Sequence, residues 1–178
     1  MQVSPALMKY RRTTNPRFMA TLNSGDIVLT NLSDGIEITW TDSCQSIKYV
    51  HSFNRPTSYQ RIDAANQAIL KACSNKQRSI KTVLDLTGGW GIDSFVLARR
   101  GKQVTLLEQN EVVFSIVSQS LANALLDQHS RTAANRIKAI QVNSLDFLSD
   151  LAKDVPYDCI YLDPMFPAHK STAKPGKD

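Results

Sequence analysis

The sequence predicts an α/β fold in two parts, a small β-rich region over residues 1–54 and a parallel-sheet domain over residues 55–178. Two observations carry this. Before residue 54 the apolar runs are short, rich in β-branched residues and separated by turn residues. From Thr82 onward, continuous apolar runs alternate with stretches of helical periodicity. That alternation is the pattern of strands buried on both faces and joined by helical crossovers.

In the first part, Ile27–Thr30 and Ile36–Trp40 are separated by a five-residue gap containing Asp34-Gly35, which predicts a hairpin. Ile47 to Phe53 predicts a third strand. Nothing in this region points to catalysis, and the chain contains no internal repeat or low-complexity segment.

A helix from about Ser58 to Cys73 is expected because Ile62, Ala65, Ile69 and Ala72 recur at spacings of three and four. Thr82–Leu86 predicts the first strand of the main domain. Asp93–Arg100 predicts a helix closed by Gly101 at the C′ position. Val104–Leu107 is the second strand, and Glu111–Leu126 an amphipathic helix with Val113, Ile116, Val117, Leu121, Ala124 and Leu125 on its apolar side. Ile137–Val142 is the third strand. Leu145, Leu148 and Leu151 mark a further helix, and Cys159–Leu162 the fourth strand. Right-handed crossovers place all four strand ends on one edge of the sheet.

Composition narrows the classes. A formal charge of +5 and a pI of about 9.2 favour a polyanionic partner. The segment Arg55–Lys81 holds six cations (Arg55, Arg61, Lys71, Lys76, Arg78 and Lys81) against one acid, Asp63. Cys44, Cys73 and Cys159 form no C-x-x-C pair, and His51, His129 and His169 are scattered. The pattern suits a reducing cytoplasm and argues against a disulfide framework or a metal site. No run reaches the ~18 apolar residues of a membrane span.

The chemistry is expected at the strand ends. Asp85-Leu86-Thr87-Gly88-Gly89-Trp90-Gly91-Ile92-Asp93 is a glycine-rich turn ahead of a helix, where backbone can approach a ligand closely. It departs from the dinucleotide fingerprint, because Ser94 stands at the last glycine position. Asp93 also places negative charge where a pyrophosphate would sit. Glu108, about 20 residues beyond the turn, has the position of an acid that bonds a ribose hydroxyl. Asn143 or Ser144 could cap the following helix or hold the edge of an adenine. The fourth strand ends in Asp163-Pro164-Met165-Phe166-Pro167, which sets a carboxylate and a ring at the lip of the sheet. Together these features outline S-adenosylmethionine (SAM) bound across the switch point.

Three stretches carry a family resemblance: Thr87–Ala98, Leu107-Glu108-Gln109-Asn110, and Tyr161-Leu162-Asp163-Pro164-Met165-Phe166-Pro167. In these the chain resembles the RsmJ-type small-subunit ribosomal RNA (guanine-N2)-methyltransferases. The resemblance implies a Rossmann-like class I SAM-dependent methyltransferase sheet. It also implies cofactor contacts from Ile92, Asp93, Glu108, Gln109, Asn143, Ser144 and Asp163, beside those expected of the glycine-rich turn itself at Asp85, Gly88, Gly89 and Gly91. Ile92 stands where the family has arginine and Gln109 where it has another basic residue, so contacts there are expected through the backbone. The implied acceptor is a guanosine N2 amine of small-subunit ribosomal RNA, modified in the cytoplasm. Asp163 and the Pro164 carbonyl would take its two N–H bonds, and Phe166 would stack on the base. His169, Lys170 and Lys174 join the basic Arg55–Lys81 segment as candidate phosphate contacts.

Other readings remain open. A DNA adenine or a protein amide would suit the Asp-Pro-aromatic grip, and a non-catalytic SAM- or RNA-binding fragment would keep the fold signature without turnover. Methyltransferases of this class have seven strands, and only four are legible before Asp178. The sheet is therefore expected to be incomplete at its C-terminal side, with strand four an exposed edge open to self-association or to a covering partner.

Overall fold

The structure is a computed structural model that describes residues 26–33, 35–41, 46–54, 69–75, 79–151 and 156–164. The expected helix over Ser58–Cys73 falls mostly outside the described residues; only its end, 69–72, is seen, and it is helical.

Strands β1 (Asp26–Leu32), β2 (Gly35–Thr41) and β3 (Ser46–His51) form an antiparallel sheet in the order β1-β2-β3. The hairpin is tighter than the five-residue gap suggested, since Leu32 pairs with Gly35. Alternation along β2 buries Ile36, Ile38 and Trp40 on one face. The register sets Ile36 opposite His51 and Ile38 opposite Tyr49, so both β3 residues point to that same inner face.

The main domain follows as β4 (Thr82–Asp85), α1 (Ile92–Arg99), β5 (Gln103–Glu108), α2 (Glu111–Leu126), α3 (Arg131–Ala134), β6 (Ile137–Gln141), α4 (Ser144–Asp150) and β7 (Cys159–Tyr161). Its four strands are parallel, in the order β6-β5-β4-β7. The chain steps outward from β4 through β5 to β6 and returns to the other side of β4 as β7. The switch point therefore lies between β4 and β7, and the crevice beyond their carboxyl ends is where open α/β sheets bind ligands.

Each helix end has a local cause. Asn110 caps α2, accepting from Val112 N at 3.0 Å and Val113 N at 3.1 Å. Gly101, with φ of 88°, closes α1 as expected. Gly101 N bonds Ala98 O at 3.0 Å and Lys102 N bonds Leu97 O at 3.2 Å, the paired bonds of a Schellman motif. The four-residue α3 had no counterpart among the sequence-predicted elements; it turns the chain between α2 and β6.

Two apolar cores share α2. Val117, Leu121 and Ala124 pack with Val83, Val104, Leu106, the buried face of α1 and Phe53. Val112 and Ile116 pack against Ile36, Ile38 and Trp40, with Trp90 alongside. Each fully buried Ile, Leu or Phe here contributes about 1.5–3 kcal/mol, so the N-terminal sheet is held by the same currency as the main domain. Asn123 of α2 adds donations to Leu32 O at 3.3 Å and Gly35 O at 3.4 Å.

Strand β7 is an edge among the described residues. Asp158 fixes its start by accepting from Lys81 N at 2.8 Å, Thr82 N at 2.9 Å and Thr82 Oγ1 at 3.0 Å. The sheet face bearing Leu84 is closed at that residue but open at β7, where the paired Ile160 is 49 % exposed. The leucine pattern of α4 does not bury as a stripe; α4 has no buried residue, and Leu145 is 76 % exposed.

Candidate cofactor site

A cleft of about 750 Å³ opens over the strand ends. Its floor and walls come from Leu86–Trp90 after β4, Leu107–Gln109 at β5, Asn143–Leu145 at β6, and Leu162–Pro164 after β7, with Ile92 and Asp93 at the start of α1. A volume of this order suits a cofactor-sized ligand.

The turn after β4 is built around Asp85. Its carboxylate is buried, accepting from Thr87 N at 3.0 Å and from Ser94 Oγ at 2.7 Å. Burial pushes this carboxyl up to about 6, against the two hydrogen bonds, which lower it. Gly88 then runs under β5, with its N–H on Leu107 O at 2.9 Å. A Cβ at Gly88 would stand 2.5 Å from the Leu106 side chain and 2.8 Å from Leu107 O, so only glycine allows this approach. Gly91 N closes the turn on Gly88 O at 2.8 Å.

Glu108 ends β5 with both carboxylate oxygens engaged: Oε2 accepts from Gly89 N at 2.9 Å and Oε1 from Asn110 N at 2.7 Å. Each oxygen keeps a further lone pair for a ligand hydroxyl. At β6, Asn143 caps α4 by accepting from Leu145 N at 2.8 Å, and its amide donates to Gln109 Oε1 at 2.8 Å. Ser144 donates to Leu86 O, which ties the β6 end to the glycine turn. At β7, Asp163 N donates to Thr87 Oγ1 at 2.8 Å. The Tyr161 hydroxyl donates to Asp93 at 2.8 Å. Its phenol is pushed well above its ordinary range, by burial first and by the Asp93 bond second.

The cleft thus brings together Gly88, Gly89, Ile92, Asp93, Glu108, Gln109, Asn143, Ser144, Asp163 and Pro164. Asp85 and Gly91 stand behind the wall: Asp85 shapes the turn, and Gly91 abuts Phe53, Leu106 and Val117. Phe166 lies outside the described residues, as do Arg55, Arg61, Lys76, Arg78, His169, Lys170 and Lys174. The carboxylates Asp93, Glu108 and Asp163 line the cleft without a lysine or arginine among its described residues. Such a site favours a cationic ligand and opposes a pyrophosphate. Among the described residues no group of three His, Cys, Asp or Glu could hold a metal ion, and no helix is long and apolar enough to cross a membrane.

Of the lining residues that were not expected contacts, Leu86, Thr87, Trp90 and Leu107 belong to the turn and strand end that the sequence singles out, and four others do not follow from it as ligand contacts. Leu145 and Leu162 present exposed apolar surface to the cleft, although their pattern read as core. Tyr49 and His51 come from the N-terminal sheet, which carried no functional signal of its own. Their spacing of two, which places both on one strand face, was the available clue.

Comparison with known proteins bears on the family and the fold. The family model described as "Putative SAM-dependent methyltransferase" matches residues 16–178. The ribosomal RNA small subunit methyltransferase J of Francisella tularensis subsp. holarctica is 32 % identical over 124 residues, covering 68 % of this chain and 51 % of that protein. The protein of the same name from Francisella philomiragia is 29 % identical over 124 residues, with the same coverage. The chain thus spans about half the length of the curated relatives it matches. The crystal structure of the SAM-dependent methyltransferase NGO1261 from Neisseria gonorrhoeae superposes with a TM-score of 0.62 at 28 % identity, covering 73 % of this chain and 54 % of that one.

Proposed function

Because the chain belongs to the family of SAM-dependent methyltransferases, we propose that it transfers a methyl group to the exocyclic N2 amine of a guanosine in small-subunit ribosomal RNA, in the cytoplasm. The observation that carries this reading is the position of Asp163-Pro164. They end β7 on the same cleft as Glu108 and Asn143, tied to the glycine turn through Thr87. The names of the curated relatives support the acceptor class.

The residues present fit the cofactor. When bound, it supplies an electrophilic methyl on a sulfonium. Glu108 retains acceptor capacity for a ribose diol, and Leu145 and Leu162 offer apolar surface to a purine beside the Asn143 amide. Asp93 and Asp163 supply negative charge for a ligand that carries an ammonium and a sulfonium.

A guanine N2 is a poor nucleophile because its lone pair is delocalised into the ring. Asp163 and the Pro164 carbonyl accept its two N–H bonds and hold the nitrogen so that its lone pair comes out of conjugation with the ring and is directed toward the methyl donor. The Asp163 carboxylate then stabilises the positive charge that grows on that nitrogen and stands ready to take its proton. Phe166 stacks on the base, a contact worth about 1–3 kcal/mol, which helps to hold it out of its own helix.

The test is a tritium-methyl transfer assay on small-subunit ribosomal RNA from cells lacking the modification. Label should enter guanine N2, and Asp163→Ala should lower the rate by about 100-fold or more without unfolding the protein. Label entering adenine in a DNA control but not guanine in RNA would overturn the acceptor assignment. Retained turnover in the Asp163 variant would remove its catalytic role.

A further inference from the structure

His51 closes β3 and is 2 % exposed. One ring nitrogen bonds the backbone carbonyl of Trp90, and among the described residues Nε2 has no partner. The donor to Trp90 is therefore Nδ1–H, which leaves Nε2 with an unused lone pair. Burial holds the ring neutral, pushing it down to about 4. An unsatisfied buried acceptor costs stability and calls for a partner that is absent among the described residues.

The ring belongs to an aromatic wall of the cleft. His51 lies 5.4 Å from Trp90, centroid to centroid, and Tyr49 packs edge-on to Trp90 at 5.8 Å. All three line the cleft. Trp90 follows Gly89, whose N–H is bonded to Glu108. His51 is thus fixed, through one carbonyl, to the same turn whose Gly89 N–H holds the Glu108 carboxylate at the end of β5. A neutral acceptor complements a neutral donor, and in this ligand the neutral donors near Glu108 are hydroxyls; the ammonium is drawn toward Asp93 and Asp163.

We propose that His51 Nε2 is a second acceptor for the ribose diol of SAM, complementing Glu108, and that the Tyr49–Trp90–His51 wall makes the N-terminal sheet part of the cofactor pocket. This rests on the cofactor reading above. It goes beyond that reading by giving the N-terminal sheet a direct contact with ligand.

The test uses S-adenosylhomocysteine and its 2′-deoxy and 3′-deoxy analogues, titrated calorimetrically into wild type and His51→Asn. Asparagine keeps a donor near the Nδ1 position for Trp90 and deletes Nε2. The variant should bind the parent ligand about tenfold more weakly and one of the two deoxy analogues as well as wild type does. Equal weakening toward all three ligands marks a merely structural role and overturns the proposal, as does unchanged binding of the parent. A second measurement needs no variant. In ¹⁵N-labelled wild type, the Nε2 resonance of His51 should move to lower shift when the protein is saturated with S-adenosylhomocysteine, and an unmoved resonance overturns the proposal. If wild type fails to bind the ligand at all, the cofactor reading falls and this one with it. Binding that is normal and insensitive to His51 overturns this one alone.

Discussion

Asp85→Asn is predicted to stabilise the fold at neutral pH and to lose most of that advantage by pH 4. The carboxyl is 1 % exposed and is pushed up from 3.8 to about 6, mainly by burial. That gap corresponds to about 3 kcal/mol of preference for the protonated native state. The native carboxyl holds its proton more tightly than the unfolded one, so its contribution is full below 3.8 and is lost as pH rises through 6. Asparagine carries no such loss. It can still accept from Thr87 N, and its amide can donate to Ser94 Oγ, so the two contacts survive in altered polarity. His51 works in the opposite direction. Its imidazole is pushed down from 6.5 to about 4, so its contribution is present above 6.5 and is lost as pH falls toward 4. The two oppose each other over one window, and a pH titration of wild type alone conceals both. The difference between wild type and Asp85→Asn, from urea unfolding at intervals between pH 4 and 7.5, cancels every group but Asp85. It should widen by about 2–3 kcal/mol across that window. A difference that stays constant with pH, or widens on acidification, refutes the assignment of a raised carboxyl to this position.

Two further substitutions separate backbone from packing effects. Gly101→Ala, where φ is 88° and a Cβ meets nothing within 4 Å, should cost only the left-handed strain of about 1 kcal/mol and leave ligand affinity intact. Gly88→Ala, which drives a Cβ onto Leu106 and the Leu107 carbonyl, should cost more and should also weaken S-adenosylhomocysteine binding by displacing the turn. Equal effects of the two on affinity would count against the turn as a binding element. Asn110→Ala removes the side-chain cap of α2 and should lower stability by about 0.5–2 kcal/mol in urea. No loss there would mean that solvent replaces the cap.

Much of the parallel domain was legible because its signals are local. Glu111–Leu126 emerged with the helix bounds that its apolar periodicity gave. Gly101 closed α1 because a left-handed C′ residue is a backbone requirement that the sequence states directly. The four strand ends converged because right-handed crossovers leave parallel strands no other arrangement, and Glu108, Asn143 and Asp163 came to one cleft as a consequence. The α4 leucines misled, because their spacing suggested a buried stripe whereas α4 buries no residue and Leu145 stands at the cleft.

The residue chemistry of the ligand edge was thus determined by sequence alone: glycines where backbone must pass close, an acid at β5, and Asp-Pro where β7 stops. Only the tertiary structure decided which of those residues face the cleft and which, like Asp85, hold it from behind. It also decided that Tyr49 and His51 stand beside Trp90. Strand period says that two residues share a face, but which body that face meets depends on how Ile36, Ile38 and Trp40 dock on α2. That docking is a sum of non-directional apolar contacts between segments some 70 residues apart, and no local pattern in the chain records it.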